Sequence, residues 1–567
     1  RENYNDGYGP PEKRFDRQRQ FNQQRNDFNR SQYRENYNEG YGPSEKRFDR
    51  QRQFNQQRND FNRSQYRENY NEGYGPPEKR FEHRKQFDIS HRQLNDLNMK
   101  KQFPKSKFKP ESDDPYDKLF DNEDPNSDCL LLPNPYNLTK DNQSTIVNEI
   151  ISPWYKYSYD HQLTIIQNQT ADCLRFLGSK ITKVSPQFRL TDRGYPCYLD
   201  PTVGSTETVE YRSRSEFSIW PGLDGDPKTV GYLAGKPNKH ESVVCVEPDG
   251  ALVLKKSHIK LTKLFQDYLR TKSPLEVCLN FSDGKNWRNL IVRSNDNGDH
   301  MVIAVLHPQN MTEEELESEK ERIRNYFEPL AEEYRIKSFY LQTNNGSASN
   351  FQLVFGMPVI EESLGSMKFV ISPSSYFYVN KSGGEQLSKT VLKMLDLSQF
   401  QTVLDVSVGT GLLSLQTAPF VKKVIGAEPS DLNFGYACKN IELNNLTNVS
   451  IHNIKMQDLL LQQKDELWDK EVVVIANPQQ DGFQSSILPQ LRSMECVKRV
   501  VYITPRPPLK DSKSLRNLFQ LMIPERRNIG IEGAPFVAIN AVPYDIMPHN
   551  PHFGVIVNLE RQSRFNY

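Results

Sequence analysis

Residues 402–411, TVLDVSVGTG, place an apolar run (Val403, Leu404, Val406) directly before two glycines, Gly409 and Gly411. A short apolar run that meets glycine in this way reads as a buried strand turning into a helix, because glycine permits the tight turn and lets a ligand approach the backbone. The pattern continues downstream. VIGAEPS (424–430), VSIHNIKMQDL (449–459), EVVVIANP (471–478) and RVVYITP (499–505) are further strand-like runs separated by helical stretches, and FVAINAVP (536–543) and FGVIVNLER (553–561) follow. Upstream, FVISP (369–373) and a helix from about Gly383 to Leu395 open the series. This alternation predicts a mostly parallel, doubly wound α/β sheet with ligands at the carboxyl ends of its strands.

Ahead of it, residues 158–181 have apolar residues at helical spacing. Runs within 209–220, 229–233, 242–248, 275–281, 288–294 and 300–306 read as short strands, followed by a charged helix near 311–334 and the strands SFYLQT and FQLVFG. They predict an α+β domain over 148–360, with the doubly wound domain over 361–567.

The first 110 residues differ in kind. RENYNDGYGPPEKRFDRQRQFNQQRNDFNRSQY (1–33) recurs almost unchanged at 34–66, and a third copy starts at Arg67. The period of 33 matches some solenoid repeats, yet the unit contains no Leu, Ile, Val, Met or Ala to form a stacked core. Residues 1–110 therefore read as disordered 33-residue repeats, with 111–147 as a Pro-rich polar linker. Arginine interleaved with Tyr and Phe suits weak stacking on RNA bases or self-association, and equally a solvated tail without a partner. Residues 1–110 hold 25 Lys/Arg against 16 Asp/Glu, a net +9, while the chain totals +1, which leaves −8 on residues 111–567.

No window reaches the roughly 18 uninterrupted apolar residues of a membrane span. The opening RENYNDGYGP has no apolar signal core. A soluble protein of the cytoplasm or nucleus is expected. The seven cysteines show neither CxxC nor Cys/His ligand spacing, so reduced thiols and no metal site are expected.

The order VLDVSVGTG, GAEPSDLNFGYACKNIELNNLTN, VIANPQQDG, VYITPRPP and VPYDIMPHNPHF resembles the RNA (uracil-C5)-methyltransferase family, and within it the eukaryotic tRNA branch. SPWYKYSYDHQL (152–163), EYRSRSEF (210–217) and GSMKFVISPSSYFYVNKSGGEQL (365–387) extend the resemblance to roughly residues 148–561. It implies a Rossmann-like methyltransferase domain dependent on S-adenosyl-L-methionine, preceded by an RNA-binding domain, with tRNA as the partner. It places Tyr378, Asp405, Gly409, Gly411, Glu428, Asp458 and Asn477 around the cofactor, and Tyr211, Arg212 and Arg214 toward RNA.

The chemistry that the resemblance implies needs a thiolate that adds to C6 of uracil, attack of C5 on the methyl sulfonium, and a base that removes the C5 proton so that the thiolate leaves. Here the sequence departs from the family. The family's Ser-Cys-Asn-Pro turn is Thr504-Pro505-Arg506-Pro507, and the Glu two residues after a His is Gly554 after His552-Phe553. Asp-Pro-Pro-Arg has become Asn477-Pro478-Gln479-Gln480, and the Gln of Phe-Phe-Gln-Val-Asn is Tyr378. Loss at Pro505, Gly554, Asn477 and Gln480 leads to the expectation of a catalytically inactive, RNA-binding member. An active uracil-C5 methyltransferase, and an N-methyltransferase that orients an amino group on Asn477-Pro478, are the alternatives.

Overall fold

The computed structural model describes residues 137–235, 243–279, 284–344, 349–478, 482–483, 486–504, 512–526 and 531–561. The repeats, Gln479, Gln480 and Pro505 lie outside these residues. All the described residues belong to one compact unit.

The chain enters through α1 (Gln143–Ile151) and α2 (Tyr159–Val184), then a two-residue strand β1 (Tyr198–Leu199). Seven strands follow: β2 (Arg214–Trp220), β3 (Thr229–Ala234), β4 (Val244–Val246), β5 (Trp287–Ser294), β6 (His300–Leu306), β7 (Ile336–Asn344) and β8 (Ser349–Gly356), with α3 (Lys256–Thr271) and α4 (Glu313–Phe327) inserted. They form one sheet in the order β4-β3-β2-β5-β6-β7-β8. Only β6 and β7 run parallel, as the crossover through α4 demands. Phe217, Phe265, Tyr268, Trp287, Phe327 and Phe339 fill the core beneath α3 and α4. Of the run 275–281, expected as a strand, the described residues 275–279 contribute an isolated bridge from Val277 to Trp287.

A hairpin, β9 (Ile360–Leu364) and β10 (Met367–Ile371), leads to α5 (Lys381–Leu395). The second sheet takes β11 (Thr402–Asp405), β12 (Lys423–Ala427), β13 (Val449–His452), β14 (Val472–Ala476), β15 (Val497–Thr504), β16 (Phe536–Tyr544) and β17 (Gly554–Arg561). Its order is β1-β16-β17-β15-β14-β11-β12-β13. Strands β11 to β15 are parallel, and β17 lies antiparallel between β15 and β16. Helices α6 (Leu412–Thr417), α7 (Asp431–Leu443), α8 (Met456–Leu467), α9 (Ile487–Ser493) and α10 (Lys513–Met522) complete the doubly wound architecture.

Within residues 159–199, which the sequence places with the 148–360 domain, β1 pairs with β16, and Ile166, Leu174, Leu177 and Ile181 of α2 share a core with Leu515 and Phe519 of α10. An amphipathic helix declares that one face is buried without declaring against which partner. Among the described residues no helix is long and apolar enough to cross a membrane.

Candidate functional site

At the carboxyl end of β11 the Asp405 carboxylate organises the turn. One oxygen accepts the Ser407 N–H at 2.9 Å, and the other accepts the Ser414 hydroxyl at 2.6 Å from the first helical turn beyond. Gly409 and Gly411 adopt φ of +57° and +92°, values that side chains with a Cβ rarely tolerate. The Gly409 N–H donates to Glu428 Oε2 at 2.9 Å, and the Ser430 N–H donates to Oε1 at 2.9 Å. Glu428, buried just beyond β12, is thus aimed at the glycine turn. A Cβ on Gly409 would meet nothing within 4 Å, so that face of the turn is open. Val408 packs the other way, onto the backbone at Gly426. Asp458 is exposed in the first turn of α8 after β13, and half-buried Asn477 follows β14. The carboxyl ends of four adjacent strands therefore carry the turn, Glu428, Asp458 and Asn477.

Burial pushes Asp405 up to about 6, with Glu428 adding in the same direction against the Ser414 and Ser407 hydrogen bonds. A folded-state value above the ordinary carboxylate value stabilises the fold fully below about 3.8, and that contribution is lost as pH rises through about 6. Between pH 7 and pH 5 Asp405 is expected to add about 1 kcal/mol of stability. Denaturant titrations at the two pH values should show this portion missing in Asp405→Asn. The same pH dependence in the variant would exclude Asp405 as its source.

Residues 372–380, between β10 and α5, carry the next of the expected site residues. Tyr376 is 61% exposed. Tyr378, 5.8 Å from it between ring centroids, is buried. Its ring lies over Gly384, where any Cβ would collide with it, and its carbonyl accepts the Ser213 hydroxyl at 2.9 Å. Tyr378 is consequently a packed side chain rather than an open contact. Arg293 from β5 supports the segment by donating to the Ser372 carbonyl at 2.7 Å.

The expected RNA-facing trio separates. Tyr211 is 2% exposed and donates its hydroxyl to the Pro548 carbonyl at 3.0 Å, so it ties the two sheets together and cannot face RNA. Arg212 is half-buried, with its backbone N–H on Val253. Arg214 remains partly exposed, paired with Glu216 at 3.1 Å. Among the described residues no group of three or more His, Cys, Asp or Glu could hold a metal ion.

No protein-family model matches the chain. The human tRNA (uracil-5-)-methyltransferase homolog B is 30% identical over 430 residues, covering 73% of this chain and 83% of that protein. The mouse tRNA (uracil-5-)-methyltransferase homolog A is 27% identical over 438 residues, covering 74% and 70%. The chain belongs to the tRNA (uracil-5-)-methyltransferase homolog family. Among solved structures, the tRNA (uracil-54, C5)-methyltransferase of Pyrococcus abyssi in complex with S-adenosyl-L-homocysteine aligns over 71% of this chain and 83% of its own, at 18% identity and a TM-score of 0.49.

Two of the positions at which the sequence departs from the family resemblance lie at the ends of β15 and β17. Pro505 lies outside the described residues, directly after Thr504 at the carboxyl end of β15. Proline carries no nucleophile whatever its conformation. Cys496 sits at the opposite end of the same strand, buried, with burial raising its thiol. Cys438 in α7 is half-buried and likewise raised. Gly554 opens β17 opposite Tyr544 of β16. A Cβ there would come within 3.0 Å of the Thr504 carbonyl oxygen and of Cζ and Oη of Tyr544. Sequence reading missed Tyr544, which nothing local marked.

Proposed function

We propose that this protein binds tRNA and S-adenosyl-L-methionine but does not methylate uracil at C5. The observation that carries the reading is the contrast between an intact glycine turn with its carboxylate and the residues at positions 505 and 554. The turn of Asp405, Gly409, Gly411 and Glu428 has an open glycine face and a carboxylate fixed beside it, an arrangement that suits the ribose and methionine portions of the cofactor. When bound, the cofactor would supply a methyl sulfonium. Asp405 would hold the turn, and Glu428 would accept ribose hydroxyls on its remaining lone pairs.

The uracil side has no matching equipment. With Pro505 at the nucleophile position and Gly554 at the base position, neither addition to C6 nor removal of the C5 proton has a side chain to perform it. Calorimetry with S-adenosylhomocysteine, together with transfer of labelled methyl from the cofactor to tRNA, tests the reading. Binding without transfer is expected. Methylation of uracil C5 that disappears in a Glu428→Ala variant would overturn it.

A further inference from the structure

The position that lost its carboxylate is filled. Tyr544 of β16 lies across Gly554 of the adjacent strand and donates its hydroxyl to the Thr504 carbonyl of β15 at 2.8 Å, so one buried side chain spans three strands. The Val555 N–H meanwhile donates to the Thr504 side-chain oxygen at 2.8 Å. Tyr544 therefore holds the last peptide of β15, immediately before Pro505, in the direction that makes it crowd position 554. Both groups that a Cβ at 554 would strike, the phenol and the Thr504 carbonyl, belong to this one hydrogen bond.

We infer that Tyr544 is an exclusion residue: its ring and the carbonyl it captures occupy the space that a proton-abstracting side chain at 554 would need. The inference rests on the reading of an inactive uracil site and deepens it. Gly554 is then not a free vacancy but a position at which only glycine fits while Tyr544 is in place, because side chains cannot interpenetrate a packed interior. Tyr544 does not itself substitute for the lost base. Its proton is committed to Thr504, and burial together with the neighbouring phenols of Tyr376 and Tyr378 keeps it protonated.

Two measurements on the full-length chain test this. The first is a double-mutant cycle of melting temperatures with Gly554→Ala and Tyr544→Val. Gly554→Ala is expected to lower the melting temperature by roughly 5–10 °C in the native background and by less than half of that in the Tyr544→Val background. Additive losses would overturn the inference, and this arm uses no activity, so it stands apart from whether the native protein methylates RNA. The second starts from Pro505→Cys with Gly554→Glu, with and without Tyr544→Val, and follows tritium released to water from C5 of uracil in RNA. In that reaction the new thiolate adds to C6, the methyl passes from cofactor to C5, residue 554 takes the C5 proton, and the thiolate departs. Release at least tenfold faster with Tyr544→Val is expected. Equal release from the two proteins, including none from either, would overturn the role of Tyr544.

Discussion

A Glu428→Ala variant is expected to bind S-adenosylhomocysteine at least roughly 100-fold more weakly than the native chain, with little change in the rest of the fold. The effect is large because one carboxylate acts twice. Its two oxygens accept the Gly409 and Ser430 N–H groups at 2.9 Å each, which fixes the glycine turn, and in the proposed function its remaining lone pairs accept ribose hydroxyls. Hydrogen bonds to a charged acceptor are worth about 1.5–3 kcal/mol each, so losing the turn's anchor together with ribose contacts amounts to about 3 kcal/mol or more. Glu428→Gln separates the two roles. An amide offers one acceptor where two backbone donors converge, so it should fall between alanine and the native protein. Calorimetric affinities of the three proteins check the order, and an alanine variant that binds as tightly as the native chain would remove Glu428 from the cofactor cleft.

The doubly wound sheet was legible because its central parallel strands β11, β12 and β14 are buried on both faces and therefore read as apolar runs ending in a turn signal, whereas the edge strand β13 is only half-buried. The cofactor side of the site was legible for the same reason: a glycine turn and an acidic residue occupy fixed places after β11 and β12, so their order in sequence is their order in space. What failed depended on contacts between distant parts of the chain. Tyr211 stands in a run, Tyr-Arg-Ser-Arg, that looks exposed, but its hydroxyl meets the carbonyl of Pro548, 337 residues away. The helix at 159–184 shows its apolar stripe plainly, yet its partner is α10 near residue 515. At Gly554 the sequence records a missing carboxylate and is silent about the ring of Tyr544 that lies over it. That ring changes the meaning of the substitution, since a glycine under a tyrosine cannot be reversed by one replacement.

The basic repeats carry the other large expectation. Residues 1–110 hold a net +9 while the remainder holds −8, so long-range attraction to phosphate should come from the repeats far more than from the folded sheets. Each phosphate neutralised contributes roughly 0.7–0.9 to the slope of log affinity against log salt, and a segment with 25 Lys/Arg has ample groups to supply several such contacts. Deleting residues 1–110 is therefore expected to lower that slope by about 3 or more and to weaken tRNA binding at 50 mM salt by on the order of 100-fold, with a much smaller loss at 200 mM. Contacts read by shape, from groups such as Arg214 on β2, should survive the deletion and leave a weaker, less salt-sensitive complex. The competing expectation is that the acidic folded part holds a locally basic groove and that the repeats bind nothing. Filter binding of tRNA to the full-length and truncated proteins at the two salt concentrations separates them: equal affinities with equal slopes would assign RNA binding to the folded part alone.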